Sequence, residues 1–124
     1  MIETATVVEK ANVDVHANGT VTLCTLDVRN LQAVTLDCIL SGLTGGTSPT
    51  VQFTVDRKAA DDSTWVNLST PTALSADGVE TFVIGPGLTI NVELCKTIRV
   101  QAITTGGPSA AVAAVYGFGD RYSG

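Results

Sequence analysis

Few side chains in this sequence are of a type that carries chemistry, and their spacing does not bring partners to them. His16 is the single histidine. General-base catalysis and most transition-metal sites hold an imidazole against a second group. His16 lies between Val15 and Ala17, which reads as a surface or edge-strand position. A Ser-His-Asp arrangement would have to use it, and no G-x-S-x-G elbow accompanies it. Asp61 and Asp62 are adjacent, so on extended chain their carboxylates point apart and make a poor acid/base pair. Weak cation binding is one use for them; setting a turn is the commoner one.

Cys24, Cys38 and Cys95 match no metal-ligand spacing, and three thiols are an odd set for intrachain disulfides. Each sits among apolar neighbours, so buried reduced thiols are expected, and with them assembly in a reducing compartment. Gly45-Gly46 and Gly106-Gly107 do not precede helical patterns, so they read as turns and not as phosphate cradles. Trp65, the single tryptophan, has two uses: a plug for an apolar core, which is the expected one, or a platform for a sugar ring. The sequence therefore assigns no catalytic, cofactor-binding or metal-ligating residue, and an enzyme is not expected.

What must position these residues is a sheet. Hydrophobic residues make up 44% of 124, enough for a core and too many for a disordered chain. Val leads the apolar set and Thr the polar set. Both branch at Cβ, which costs rotamer freedom in a helix and suits a pleated surface. Val51, Phe53 and Val55 alternate with Gln52, Thr54 and Asp56, the period-two pattern of a half-buried strand. The segment VQFTVDRKAADDSTWVNL, Val51 to Leu68, reads as two such strands joined by a polar turn over Lys58 to Ser63. Further strands are expected over Thr20 to Val28, Leu31 to Leu40, Glu80 to Ile84, Ile98 to Ala102 and Ala110 to Phe118.

Turn chemistry punctuates them at Asn18-Gly19, at Ser41-Gly42 and GGTSP, at Asp77-Gly78, at Gly85-Pro86-Gly87 and at Gly106-Gly107-Pro108. Thr89 to Leu94 reads as a strand or a connector, and a helix over Leu88 to Ile98 would lack a cap. Gly117 and Gly119 around Phe118 indicate close backbone packing or a bulge. Seven to nine strands result, in an all-β antiparallel sandwich or jelly-roll-like barrel. The expected organisation is residues 1–19 as an N-terminal arm or edge strand and 20–124 as one β-sandwich domain.

Charge narrows the partners. The net charge is −5, with 7 Lys and Arg in all, whereas binding to phosphate backbones needs clustered cations. Nucleic acid and anionic membranes are not expected partners. Charged residues are 15% of the chain, below the roughly 25% usual for soluble domains. A Thr-rich, weakly charged surface desolvates cheaply and suits burial against other subunits. The start Met1-Ile2-Glu3-Thr4 carries no pattern of a secretion signal. The sequons at Asn18 and Asn67 are accordingly expected to be chance matches.

The succession LSGLTGGTSPTVQFTVDRKAADDSTWVNL, then ETFVIGPG, then TIRVQAITTGG and AAVYGFGD resembles small bacteriophage virion proteins of the capsid decoration or cement type. The likeness spans about residues 31–120. The turn here reads Asp61-Asp62-Ser63-Thr64-Trp65, without the glycine common at that place in the family. The resemblance implies a non-enzymatic structural protein, made in the host cytoplasm and docked in many copies on the outer surface of a capsid. It implies the major capsid protein as partner, and a homo-oligomer, a trimer above all. A phage tail or fibre component and a lectin-like module using Trp65 are the alternatives.

Overall fold

The computed structural model describes residues 2–94 and 97–122, and among these residues it has eight strands and no helix. The strands are β1 (Ile2–Asp14), β2 (Gly19–Asp27), β3 (Ala33–Thr44), β4 (Thr50–Lys58), β5 (Trp65–Ser69), β6 (Gly78–Ile84), β7 (Thr97–Thr105) and β8 (Ala110–Tyr122). They form two four-stranded antiparallel sheets, ordered β1-β8-β3-β6 and β2-β7-β4-β5. Only β4 and β5 are neighbours in both sequence and sheet; every other connection carries the chain across to the opposite sheet. Eight strands ordered this way make a jelly roll. The all-β sandwich expected from period-two patterning is the observed fold.

The core is the inner faces of the two sheets. Leu36, Cys38 and Leu40 from β3, Val51, Phe53 and Val55 from β4, and Val100 and Ala102 from β7 are each at most 1% exposed. All sit at alternate positions, so one face of each strand supplies the interior and the other is turned out. Val115 and Ala113 of β8, Ile84 and Phe82 of β6, Ile98 of β7 and Leu23 and Leu26 of β2 belong to it as well. Among the described residues no buried side-chain nitrogen or oxygen lacks a partner. Thr104, 2% exposed, donates from Oγ1 to the Val15 carbonyl at 2.7 Å, tying the chain after β1 to β7.

Several strands run past their expected ends, β3 and β8 furthest. β3 continues through Ser41 and Gly42, which the sequence marked as loop. The reason is the Asp77 carboxylate, which accepts from the N–H groups of Gly42 at 3.0 Å and Leu43 at 2.9 Å. Those bonds stand in for ladder bonds where the register with β8 slips between Ser41 and Thr44. β8 likewise continues through its glycines. Of the two readings of that segment, close packing holds, whereas β8 itself carries no bulge. A Cβ on Gly117 would lie 2.6 Å from Leu36 Cδ2 and from Val8 Cγ1, and one on Gly119 would lie 2.9 Å from Leu31 Cδ1. The bulge lies opposite, in β1, where Thr6 pairs with Phe118 and Val8 with Gly117, leaving Val7 as the extra residue.

The segment 89–94 is a connector that touches the sheet through one parallel bridge, Ile84 with Ile90. Residues 2–14 pair with β8 along an outer edge of the first sheet. Gly45-Gly46 and Gly106-Gly107 are indeed turns. Gly106 has φ +84°, and a Cβ there would meet Pro49 Cα at 2.6 Å. Cys38 is buried and Cys24 half-buried, both as free thiols, and burial pushes both thiols up from their ordinary range. Cys95 lies outside the described residues.

Phe53 is the largest fully buried side chain, 1% exposed between the sheets. Its replacement in Phe53→Ala is expected to lower unfolding free energy by about 3–5 kcal/mol, measured by urea denaturation followed by far-ultraviolet circular dichroism.

Candidate functional site

With the interior apolar, any site must be built on the outward faces or at the ends of the sandwich. The outward face of β2-β7-β4-β5 carries Trp65. This corrects the expectation that Trp65 plugs the core: it is half-buried on the outside of the sheet. Register explains the placement. Trp65 pairs with Lys58 and Asn67 with Asp56, both of opposite parity on β4 to the buried Val51, Phe53 and Val55 and so outward. Asp56 in turn pairs with Arg99 of β7.

The Arg99 guanidinium carbon lies 4.3 Å from the centroid of the Trp65 ring and the Lys58 ammonium 5.3 Å away, both within cation–π range. Asp56, 5% exposed, ties the group together. Its Oδ2 accepts from Arg99 Nε at 2.8 Å and its Oδ1 from Asn67 Nδ2 at 3.0 Å. Trp65 thus packs on a guanidinium already held by a carboxylate. That serves adhesion between three strands; the ring is engaged by the protein's own cation.

The remaining sequence candidates are structural in position. His16 is exposed and bonds to Asp14, two residues away, through both its backbone N–H and its ring Nδ1. Asp61 closes the β4–β5 turn, accepting from the N–H groups of Ser63 at 3.0 Å and Thr64 at 2.9 Å and from the Thr64 hydroxyl. Those bonds hold its carboxyl down at about 2. Asp62 adopts φ +61°, and its carbonyl accepts from Lys58 Nζ at 3.1 Å. Asn18 and Asn67, the two sequon asparagines, both spend their side-chain amides on the fold. Asn18 Oδ1 accepts from the Gly107 N–H at 2.8 Å, and Asn67 holds Asp56. Among the described residues, His16, Asp61, Asp62, Cys24 and Cys38 form no metal-holding group. A depression of about 600 Å³ at one end is lined by Arg29, Asn30, Leu31, Gln32, Pro86, Glu93 and Leu94. Its one guanidinium is held by Asp27.

The other outward face is different in kind. Along β8 the buried Ala111, Ala113 and Val115 alternate with outward Val112, Ala114, Tyr116 and Phe118. Tyr116 is 39% exposed and Phe118 44%. Tyr116 stands between Glu9 of β1 and Asp37 of β3; Phe118 stands between Thr6 and Thr35. Ala114 continues through Ile39 to Val79 of β6, which is 56% exposed. A shallow depression of about 290 Å³ opens between Thr6, Val8, Glu9, Asp37, Tyr116, Gly117 and Phe118. Asp14, paired with Val112, and Asp120, paired with Ala33, lie at outward positions further along. The signal available beforehand was the aromatic pair at i and i+2 on the last strand; the flanking acids come from strands far away in sequence.

Comparison with known proteins gives a fold and no family. No family model and no curated protein matches the chain. Among solved structures, the chain is similar to one from infectious bursal disease virus, Gx strain, with a TM-score of 0.54 and 13% identity over 100% of this chain and 33% of that one. It is similar also to the chain in the VP2 subviral particle of the same virus, with a TM-score of 0.57 and 11% identity over 98% and 32%. A third match is to the T13 particle of that virus, with a TM-score of 0.54 and 12% identity. The chain spans about a third of the length of these virus chains. At such identities the likeness is one of fold.

Two expectations follow for the Trp65 and Asp61 clusters. Asp56→Ala, which leaves Arg99 without its carboxylate under Trp65, is expected to lower stability by about 3 kcal/mol, read from urea denaturation. Because the folded Asp61 carboxyl sits at about 2, below its ordinary 3.8, its contribution is present above pH 4 and lost as pH falls towards 2. A carbon-detected NMR titration should find the Asp61 side chain still ionised at pH 3.

Proposed function

We propose that this chain is a structural virion protein, and within that class a capsid decoration or cement protein that binds the outer surface of an assembled shell. The observation that carries the proposal is the jelly-roll order of its eight strands, a fold it shares with chains of an icosahedral virus particle. The residues fit a binding role. Among the described residues the ionisable groups are engaged in turns and strand ties, or spread over an open face, and no nucleophile is set against a base. An enzymatic role is therefore not proposed. The partner in this proposal is the major capsid protein, and the location is the virion exterior, where an acidic protein is kept from packaged nucleic acid. Many copies, each making modest contacts, would together hold capsomers against internal pressure; a closed homo-oligomer such as a trimer suits that task.

The lectin-like alternative loses its main support, because Trp65 packs against Arg99 at 4.3 Å. Its replacement by alanine should leave glycan response unchanged and lower stability. A tail or fibre component is the remaining rival within the virion.

Purified protein mixed with shells from a virus deleted for this gene is expected to co-sediment with them at low and moderate salt. Failure to co-sediment, with the protein folded by circular dichroism, would remove the decoration role and favour the tail or fibre assignment.

A further inference from the structure

The two outward faces of the sandwich differ in what they leave unsatisfied. On β2-β7-β4-β5 the Asp56–Arg99–Trp65 group is closed on itself. On β1-β8-β3-β6 the chain turns out Tyr116, Phe118, Ala114, Ile39 and Val79 as one connected apolar band, over which none of the described residues is laid. Contiguous exposed apolar surface of this kind marks an interaction site more often than a bare surface.

Charge says what covers it. Glu9, Asp14, Asp37 and Asp120 all occupy outward register positions on this sheet. Among the described residues no Lys or Arg does so. Lys10 pairs with the buried Val115 and so takes the inward register at the sheet edge. Asp14 is answered by His16, and Asp37 accepts from the Thr81 hydroxyl at 2.8 Å. Neither arrangement brings a permanent cation onto the face. Two copies joined by this face would set carboxylates against carboxylates. The opposite face of a second copy is a poor match too, since Arg99 is already held by Asp56 and Lys58 by the Asp62 carbonyl.

Resting on the virion role proposed above, we infer that the outward face of β1-β8-β3-β6 is the docking surface and that its partner is a basic, aliphatic patch of the shell protein. The depression between Glu9, Asp37, Tyr116 and Phe118 takes an arginine or lysine side chain of that patch. Directly opposed residues on neighbouring strands stand about 5 Å apart, so Tyr116 presents its ring between two carboxylates. A guanidinium or ammonium group entering there meets a π face and two anions together, which is stronger than either alone. The band of Ala114, Ile39 and Val79 supplies apolar contact beside it. Carboxylates at the rim also steer a basic surface towards this face over about a Debye length and resist approach to nucleic acid.

The test uses the shells of the co-sedimentation experiment and the full chain, with each variant checked by circular dichroism and thermal melting. Tyr116→Ala with Phe118→Ser, and separately Glu9→Lys with Asp37→Lys, are each expected to weaken shell binding about tenfold or more. Gln101→Ala with Thr22→Ala, on the other face, is expected to bind as the unsubstituted protein does. Binding of the unsubstituted protein should weaken as salt rises, whereas the residual binding of the Glu9→Lys/Asp37→Lys variant should strengthen, because salt screens its repulsion from a basic patch. Normal binding by both face variants, or loss through the control alone, would overturn the assignment while leaving the decoration role intact. Light scattering that showed the Tyr116/Phe118 variant breaking an oligomer into monomers would overturn it in favour of a contact between copies. Absence of binding by the unsubstituted protein would remove the decoration role and this inference with it.

Discussion

Parity along β8 determines which residues this protein hides and which it shows. The strand lies inside its sheet, hydrogen-bonded to β1 on one side and β3 on the other. A shift of one residue would therefore exchange its faces entirely. Such a shift would bury Tyr116 and Phe118 where the interior now has room only for Val115 and two glycines. Gly117 and Gly119 set the register physically, because Leu36, Val8 and Leu31 already occupy the space a side chain there would need. The aromatic residues are outside because the inside opposite them is filled from β1, β3 and the loop before β3. The core and the proposed docking surface are thus two consequences of one register.

Most of the secondary structure could be read from the chain because half-buried strands announce themselves locally. Val51, Phe53 and Val55, or Ile98, Val100 and Ala102, need no knowledge of their partners to be recognised as one face. Two features that escaped are contacts made at a distance. Asp77 extends β3 through Gly42 by bonds between residues about 35 apart. Trp65 was misplaced because a lone aromatic in an alternating segment fits either face. Which face it takes depends on the pairing of Asp56 with both Asn67 and Arg99. The acidic rim was illegible for the same reason: Glu9, Asp37 and Tyr116 become neighbours only when the first, third and last strands are aligned.

Sheet order also explains why the two outward faces have different characters. In β2-β7-β4-β5 the outward side of β4 carries a buried carboxylate, Asp56, which must be paired to be tolerated. Arg99 and Asn67 meet that need, and Trp65 closes over the guanidinium; the face becomes polar, cross-linked and self-contained. In β1-β8-β3-β6 Glu9 stands at the surface and Asp37 beside it is only partly covered, so water solvates both at little cost. The fold leaves one face finished and the other open.

An open apolar face flanked by like charges would suit the many-copy role proposed above. Exposed Tyr116, Phe118 and Val79 alone would promote pairing of free subunits through the same band. Carboxylates beside them make that encounter repulsive, while a basic partner converts the same groups into attraction, so one set of charges opposes the wrong contact and favours the right one. One edge of the sheet receives similar protection: β1 is bulged at Val7 and again between Lys10 and Val13, and such irregularity hinders strand-to-strand addition. Association through side chains on the broad face is then easier than association through backbone at the rim. That selectivity follows from where Glu9, Asp37 and the bulges of β1 fall relative to β8, and it costs the interior nothing.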